Sequence, residues 1–323
     1  MGDTETQSSF DRHRNRMTGT ASHAPEPLDV VVVGEALIDI VQSAGGQKEY
    51  PGGSPANVAY GLGLLDVKTG LLTAIGRDER GDAIAAHLQR AGVVLLPGSM
   101  SAGKTATATA RITADGSADY TFDIDWALAP LALPYAPRIL HTGSIATFLE
   151  PGASVVRSLL EQAQGGCMVT YDPNIRPDLL GSHHEALSLF EEMVPLTDVV
   201  KMSGSDARWL YPGKSLEDTA NHLLALGTGL AVVTQGVKGA LMATKHIHIN
   251  IPAVPATVAD TIGAGDSFTA ALIMGLLLRG SDGMAPTVLE RIGTIASMAA
   301  SIAVGRSGAN PPTHRELLVG MAR

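Results

Sequence analysis

Short runs of β-branched residues recur along this chain with helical stretches between them, and that alternation leaves few folds open. Leu28-Asp-Val-Val-Val-Val-Gly34 is the first such run, stopped by a glycine as a buried strand is. Similar runs fall at Gly70–Ile75, Arg138–His141, Cys167–Tyr171, Asp198–Lys201 and Leu230–Thr234. Between them the spacing of apolar residues predicts helices near Pro55–Leu65, Asp82–Ala91, Ala153–Gln164, His183–Met193 and Leu216–Leu226. Strands that alternate with helices in this way build an α/β fold, a doubly wound and mostly parallel sheet covered on both faces. Ligands bind such sheets beyond the carboxyl ends of the strands, so the residues that leave strand ends carry the information.

One segment breaks the alternation. Thr105-Ala-Thr-Ala-Thr-Ala-Arg-Ile-Thr113, then Ala114-Asp-Gly116 and Tyr120-Thr-Phe122, has a period of two around an Asp-Gly turn. It predicts a β-hairpin, small and polar by turns, like an exposed sheet over a cleft. Gly98-Ser-Met-Ser-Ala-Gly103-Lys104-Thr105 overlaps it and matches the P-loop expression letter for letter. A working P-loop needs a helix directly after it, and Thr105–Thr113 alternates like a strand. The hairpin reading is adopted.

Bulk properties narrow the classes further. Of 323 residues, 45% are hydrophobic and 17% charged, enough for a sizeable core. The formal net charge of −9 leaves no basic footprint for nucleic acid. No stretch reaches the roughly 18 uninterrupted apolar residues of a membrane helix, so no membrane role is expected. The single cysteine, Cys167, supports no disulfide framework and fits the cytoplasm. Residues 1–27 are polar, with Arg12–Arg16 clustered and no apolar signal region, and read as a disordered tail with an internal start candidate at Met17. Residues 28–323 then form the folded domain.

The most informative stretch is Asp260-Thr-Ile-Gly-Ala-Gly-Asp-Ser-Phe268, which feeds an apolar helix through Leu278. Gly263, Ala264 and Gly265 let an anion approach the free amides at the helix start. Asp266 stands beside them, placed to take a proton from an attacking hydroxyl. Gly34-Glu-Ala-Leu-Ile-Asp39 leaves the first strand with two acids, and Gly52-Gly-Ser-Pro-Ala-Asn57 enters a helix with Ser54 as N-cap and Pro55 at N1. Asn57 stays polar on an otherwise apolar face and offers a polyol both donor and acceptor. In Tyr171-Asp-Pro-Asn174-Ile-Arg176-Pro177, Arg176 is suited to a phosphate or a substrate acid, while an Asx turn explains the rest. Ser203-Gly-Ser-Asp206 matches a capping box.

Taken together these runs resemble, in order and from about Val31 to Pro311, the ribokinase-like (PfkB) carbohydrate kinases, and among them most the fructokinases. The resemblance implies an ATP-dependent kinase that phosphorylates a sugar's primary hydroxyl, with Asp266 as catalytic base and Gly263–Gly265 as anion hole. It implies sugar contacts from Asp39, Gly53 and Asn57, with Arg176 at the substrate. Asn174 falls near the phosphates, and Thr234-Gln-Gly-Val-Lys-Gly239 resembles the nucleotide turn, which assigns Thr234, Gly236 and Gly239 to ATP. Asn310 falls in the region flanking adenine. Asp206, with Ser203, sits where the family orders water around Mg²⁺, although Ser and Asp replace its Asn and Glu, so cap and relay both stand. Asp260 corresponds to a ligand of a monovalent cation such as K⁺. A small β-sheet lid from about residues 36–50 and 104–126, often a homodimer contact, is implied as well. Fructose is the first substrate, with 2-keto-3-deoxygluconate as the alternative because Arg111 or Arg176 would suit its carboxylate. A sensing relative without turnover is the alternative class, against which the intact Asp266 speaks. No Gly-x-Gly-x-x-Gly follows the first strand, which disfavours a dinucleotide enzyme.

Overall fold

Val30 and Val32 enter one apolar core while Val31 and Val33 enter another. A strand buried on both faces reads as a continuous hydrophobic run, and β1 (Val30–Val33) is one. The structure is a computed structural model and describes residues 27–43, 45–112, 118–130, 133, 136–279 and 283–322. The N-terminal stretch with Met17 and the Asp115-Gly116 turn lie outside the described residues.

β1 lies inside a nine-stranded sheet. On one side it pairs in parallel with β4 (Thr69–Leu72), and β4 with β5 (Val94–Leu95). On the other side β8 (Ile139–Gly143), β9 (Met168–Asp172), β10 (Val199–Ser203) and β11 (Leu230–Thr234) follow, all parallel. β12 (Ala240–Ala243) and β13 (His248–Ile251) then reverse direction and finish the sheet antiparallel. Neither was expected from the sequence: Ala-Leu-Met-Ala lacks the β-branched residues that marked the other strands, and His-Ile-Asn-Ile is only four residues long.

Helices cover both faces. α1 (Ser54–Leu64), α2 (Glu79–Arg90), α7 (Ala264–Leu278) and α8 (Pro286–Val304) supply apolar residues to the first core. α3 (Gly152–Ala163), α4 (His183–Met193), α5 (Gly204–Leu210) and α6 (Leu216–Leu226) supply them to the second. α9 (His314–Met321) closes the chain on α8. α2 begins three residues before its expected start because the Asp78 carboxylate accepts from the amide of Gly81 at 2.8 Å and caps it. Among the described residues α8 alone has the length and mean hydropathy of a membrane span. Its Leu289, Ile292, Ala296 and Ala299 are buried in the first core, as a core helix requires.

A separate four-stranded sheet stands over one end of the large one, in the order β3 (Gly46–Gly52), β2 (Leu37–Ser43), β6 (Thr107–Ile112), β7 (Ala118–Asp123). β2 and β6 run parallel, each flanked by an antiparallel neighbour. Asp78 ties this sheet to the body, accepting from Thr105 Oγ1 at 2.6 Å and from the Thr105 amide at 2.8 Å. Lys104 pairs with Asp123 on β7 at 2.6 Å and a strand follows it, so Gly98–Thr105 has no helix on which to seat phosphates.

Candidate active site

The carboxyl ends of β1, β8, β9 and β10, the start of α1 and the start of α7 converge under the small sheet. Asp266 lies at their centre. Its Oδ1 accepts from Ser54 Oγ at 2.7 Å and its Oδ2 accepts from Asn57 Nδ2 at 2.9 Å. Burial raises its carboxyl above the usual range, with Asp172 adding to the rise, while the bonds from Ser54 and Asn57 and the charge of Lys201 pull the other way. A carboxylate held by two donors yet raised by desolvation can accept a proton from a hydroxyl placed beside it.

Ser54 departs from its expected role. The N-cap of α1 is Gly53, with φ 95°, and Ser54 is already the first helical residue. Any Cβ on Gly53 would meet the Glu35 carbonyl oxygen at 2.7 Å, so only glycine lets the first loop and α1 come this close. Freed from capping, the Ser54 hydroxyl serves Asp266.

At α7 the N-cap is Gly263 in the left-handed region, φ 73°, where a Cβ would strike the Ala309 Cα at 2.8 Å. The Ala264 amide turns back to the Thr261 carbonyl at 3.3 Å. The amides of Gly265 and Asp266 precede the first carbonyl that an intrahelical bond would reach, and they face outward with the helix dipole behind them.

Asp39 leaves β2 toward the same cleft, partly buried, its carboxyl lying against Gly52. Burial pushes it up to about 6, opposed by the Arg176 guanidinium and reinforced by the charge on Asp266. Glu35 was not singled out in the sequence, yet it is a buried acid of the same end, 4% exposed. Its Oε2 accepts from the Ala146 amide at 3.2 Å, and burial pushes it up to about 8 despite bonding from Ser144. The Asn174 side-chain Nδ2 donates to Ser144 Oγ at 3.5 Å, so the loops after β1, β8 and β9 are joined through Ser144. Arg176 is exposed, donates to the carbonyls of Asn174 and Ile175, and reaches Asp39 and Glu35 by charge.

One further side chain, Lys201, was passed over. Lys201 Nζ lies 2.7 Å from Asp172 Oδ2, both nearly fully buried, and 3.4 Å from the Gly265 carbonyl. A lysine inside the apolar run Asp198–Lys201 was the available signal, since a buried cation needs a partner. Behind the pair, on β8, His141 is buried with Nδ1 2.9 Å from Thr170 Oγ1, and burial pulls it down to about 4, so it is neutral.

The remaining residues lie on neighbouring strand ends and loops. Thr234 ends β11 opposite Ser203 on β10, and Gly236 and Gly239 shape the turn that follows. Asp260 accepts from the amides of Ile262 at 3.1 Å and Gly308 at 2.9 Å, lacing the segment before α7 to the loop after α8. Asn310 is exposed on that loop, next to the Ala309 that packs on Gly263. Asp206 closes a capping box with Ser203 and accepts from the Ile175 amide at 3.2 Å. Both its oxygens thus bond backbone amides. Among the described residues no three His, Cys, Asp or Glu side chains cluster as metal ligands. Mg²⁺ usually keeps several waters and binds through one or two carboxylates plus substrate phosphates, so such a cluster is not required for it.

A doubly wound sheet with a positioned acid beside a glycine-rich helix start, under a second small sheet, defines a small-molecule phosphotransferase of the ribokinase-like class. The chain belongs to the pfkB family of carbohydrate kinases, whose model matches residues 27–315, and it is an ATP-dependent sugar kinase. It is 30% identical over 319 residues to a probable fructokinase-3 of Arabidopsis thaliana, covering 92% of each chain. An uncharacterized sugar kinase from Pyrococcus horikoshii in complex with ATP superposes with a TM-score of 0.75 at 26% identity, over 90% of this chain and 97% of that one. A Vibrio cholerae fructokinase bound to fructose, ADP and potassium ion shares the fold, with a TM-score of 0.77 at 24% identity, over 90% and 97%.

Proposed function

We propose that this kinase transfers the γ-phosphoryl group of ATP to the primary hydroxyl of D-fructose, giving fructose 6-phosphate and ADP. One observation carries the reading: Asp266, raised by burial and gripped by Ser54 and Asn57, stands beside the open amides of the Gly263-Ala264-Gly265 turn. Asp266 takes the hydroxyl proton as the sugar oxygen bonds to the γ-phosphorus. The bond from that phosphorus to the bridging oxygen breaks, and ADP leaves with the electron pair. The turn amides hold the charge on the transferring group. A divalent cation bound with ATP would supply neutralisation of phosphate charge.

Asp39, Gly53 and Asn57 hold sugar hydroxyls in this reading. Thr234, Gly236, Gly239 and Asn174 flank the nucleotide, Asn310 its base. The small sheet acts as a lid, and its exposed Tyr50 and Tyr120 suit a homodimer contact. Asp260, whose carboxylate laces two loops, suits the support of a K⁺ ion held by nearby carbonyls. The single cysteine suits a cytoplasmic enzyme.

Fructose is favoured over 2-keto-3-deoxygluconate by the charge at the site. Asp39 and Asp266 gather there with the protonated Glu35, and the exposed Arg176 donates to the backbone carbonyls of Asn174 and Ile175. Arg111 is exposed on β6 and donates to Gln42 at 3.4 Å instead. A substrate carboxylate would have to draw Arg176 from those carbonyls and sit beside Asp39. Coupled assay of ATP consumption over a panel of sugars tests this, with fructose expected to give the highest kcat/KM. A tenfold preference for the acid sugar overturns fructose and leaves the kinase.

A further inference from the structure

Directly beneath the glycine turn lies an ion pair that the transfer step above does not use. Lys201 and Asp172 stand on adjacent strands with side chains 6% and 3% exposed, Nζ to Oδ2 2.7 Å. Such a pair is a poor way to gain stability, because the charges lose their water and well-packed apolar residues would serve as well or better. This one is also incomplete, since Asp172 Oδ1 is buried with no hydrogen-bond partner. What it does hold is the turn. Lys201 Nζ is 3.4 Å from the Gly265 carbonyl oxygen, and Thr269 Oγ1 lies 3.0 Å from that same oxygen and 3.0 Å from Asp172 Oδ2. A Cβ on Gly265 would sit 3.4 Å from Nζ, so the ammonium backs directly onto the turn.

The Gly265 carbonyl and the Asp266 amide belong to one peptide unit, which is planar and trans. Drawing the oxygen toward Lys201 therefore turns the Asp266 N–H the opposite way, outward to the anion site, and fixes the backbone from which the Asp266 side chain springs. We propose that Lys201, held by Asp172, is a positioning residue that sets the Gly265–Asp266 peptide plane and so aims both an anion-binding amide and the base. The inference rests on Asp266 acting as base in a kinase. A misaligned plane should slow transfer while leaving the sugar hydroxyl contacts and the distal nucleotide contacts in place.

The test removes both charges together, so that neither is left buried alone, in a Lys201→Met/Asp172→Asn variant. Expected are a thermal midpoint near wild type, an unchanged sugar KM, affinity for a non-hydrolysable ATP analogue within about threefold, and a kcat at least tenfold lower. A folded variant with kcat within twofold of wild type overturns the proposal. A tenfold or greater loss of analogue affinity also overturns it, since Lys201 would then be a direct nucleotide contact. Should the double variant not fold, Thr269→Val decides: a kcat about threefold lower at constant KM supports positioning, and an unchanged kcat overturns it. Asp266→Asn runs alongside. If it keeps full turnover, the base reading fails and takes this proposal with it. If it is dead while the double variant is unimpaired, only the positioning role falls.

Discussion

Ser54 and Asp266 stand 212 residues apart in the chain and 2.7 Å apart in the fold, hydroxyl to carboxylate. The bond joins the first helix of the domain to the seventh, across the centre of the cleft. It exists because Gly53 has taken the capping position and left the Ser54 side chain unspent.

Two substitutions separate chemistry from scaffold at this bond. A positioned base contributes about 10²–10⁴-fold to rate, so Asp266→Asn should lose at least two orders of magnitude in kcat with ATP and sugar binding near wild type. Ser54→Ala should lower kcat several-fold and leave the thermal midpoint in place. An N-cap serine would behave the other way round, losing about 1 kcal/mol of stability on becoming alanine. Steady-state kinetics beside thermal unfolding distinguish the two patterns.

The acid limb of the pH profile should report Asp39. Its carboxyl is pushed up to about 6, and only the ionised form accepts hydrogen bonds from sugar hydroxyls with both oxygens. Sugar kcat/KM should therefore fall about tenfold per unit as pH drops below this value. The Arg176 guanidinium holds that pKa down, so Arg176→Met should move the limb to higher pH. A limb that stays put in the variant means that another group titrates.

Glu35 makes a stability prediction. Its folded pKa of about 8 lies above its unfolded value, so its contribution is present in full at low pH. As pH rises from about 4.5 the unfolded chain ionises Glu35 while the fold keeps it protonated, and stability drains by about 1.4 kcal/mol per unit until the folded pKa is passed. Glu35→Gln mimics the protonated acid and can still accept from the Ala146 amide. Denaturant unfolding across this window should show the slope in wild type and a flatter curve in the variant. Equal slopes would place the titration elsewhere.

Asp206 tests the cap against the metal relay. Both its oxygens accept from backbone amides, of Ser203 and Ile175, and an amide side chain can accept with only one. Asp206→Asn should cost about 0.5–2 kcal/mol of stability and leave the Mg²⁺ concentration for half activity unchanged. A raised Mg²⁺ requirement would restore the relay.

What was readable in the sequence was whatever is local. Val30–Val33 and Leu230–Thr234 announce strands because β-branched runs suit a sheet buried on both faces, and His183–Met193 and Leu216–Leu226 announce helices whose bounds the structure reproduces. β12 and β13 were silent, since four-residue strands, one of them alanine-rich, are placed by their neighbours more than by their own propensity. The site divided in the same way. Gly263 through Asp266 lie together in one motif, but Lys201 and Asp172 meet only because β9 and β10 are adjacent. Ser54 looked like a cap because capping is judged from its immediate neighbours, and its actual partner comes from the other end of the domain.

The strand order carries one more consequence, for synthesis rather than catalysis. From β9 to β13 each strand is laid beside the one made just before it, so a chain emerging from the ribosome extends the sheet along a single growing edge. After the reversal at β11–β12 one more strand is added, a four-residue outer strand whose His248 and Asn250 turn polar groups to water. At the far edge β5 has only two residues. Neither border offers another molecule a long, flat, greasy strand to copy, and the finished enzyme is protected at both borders from stacking into aggregates.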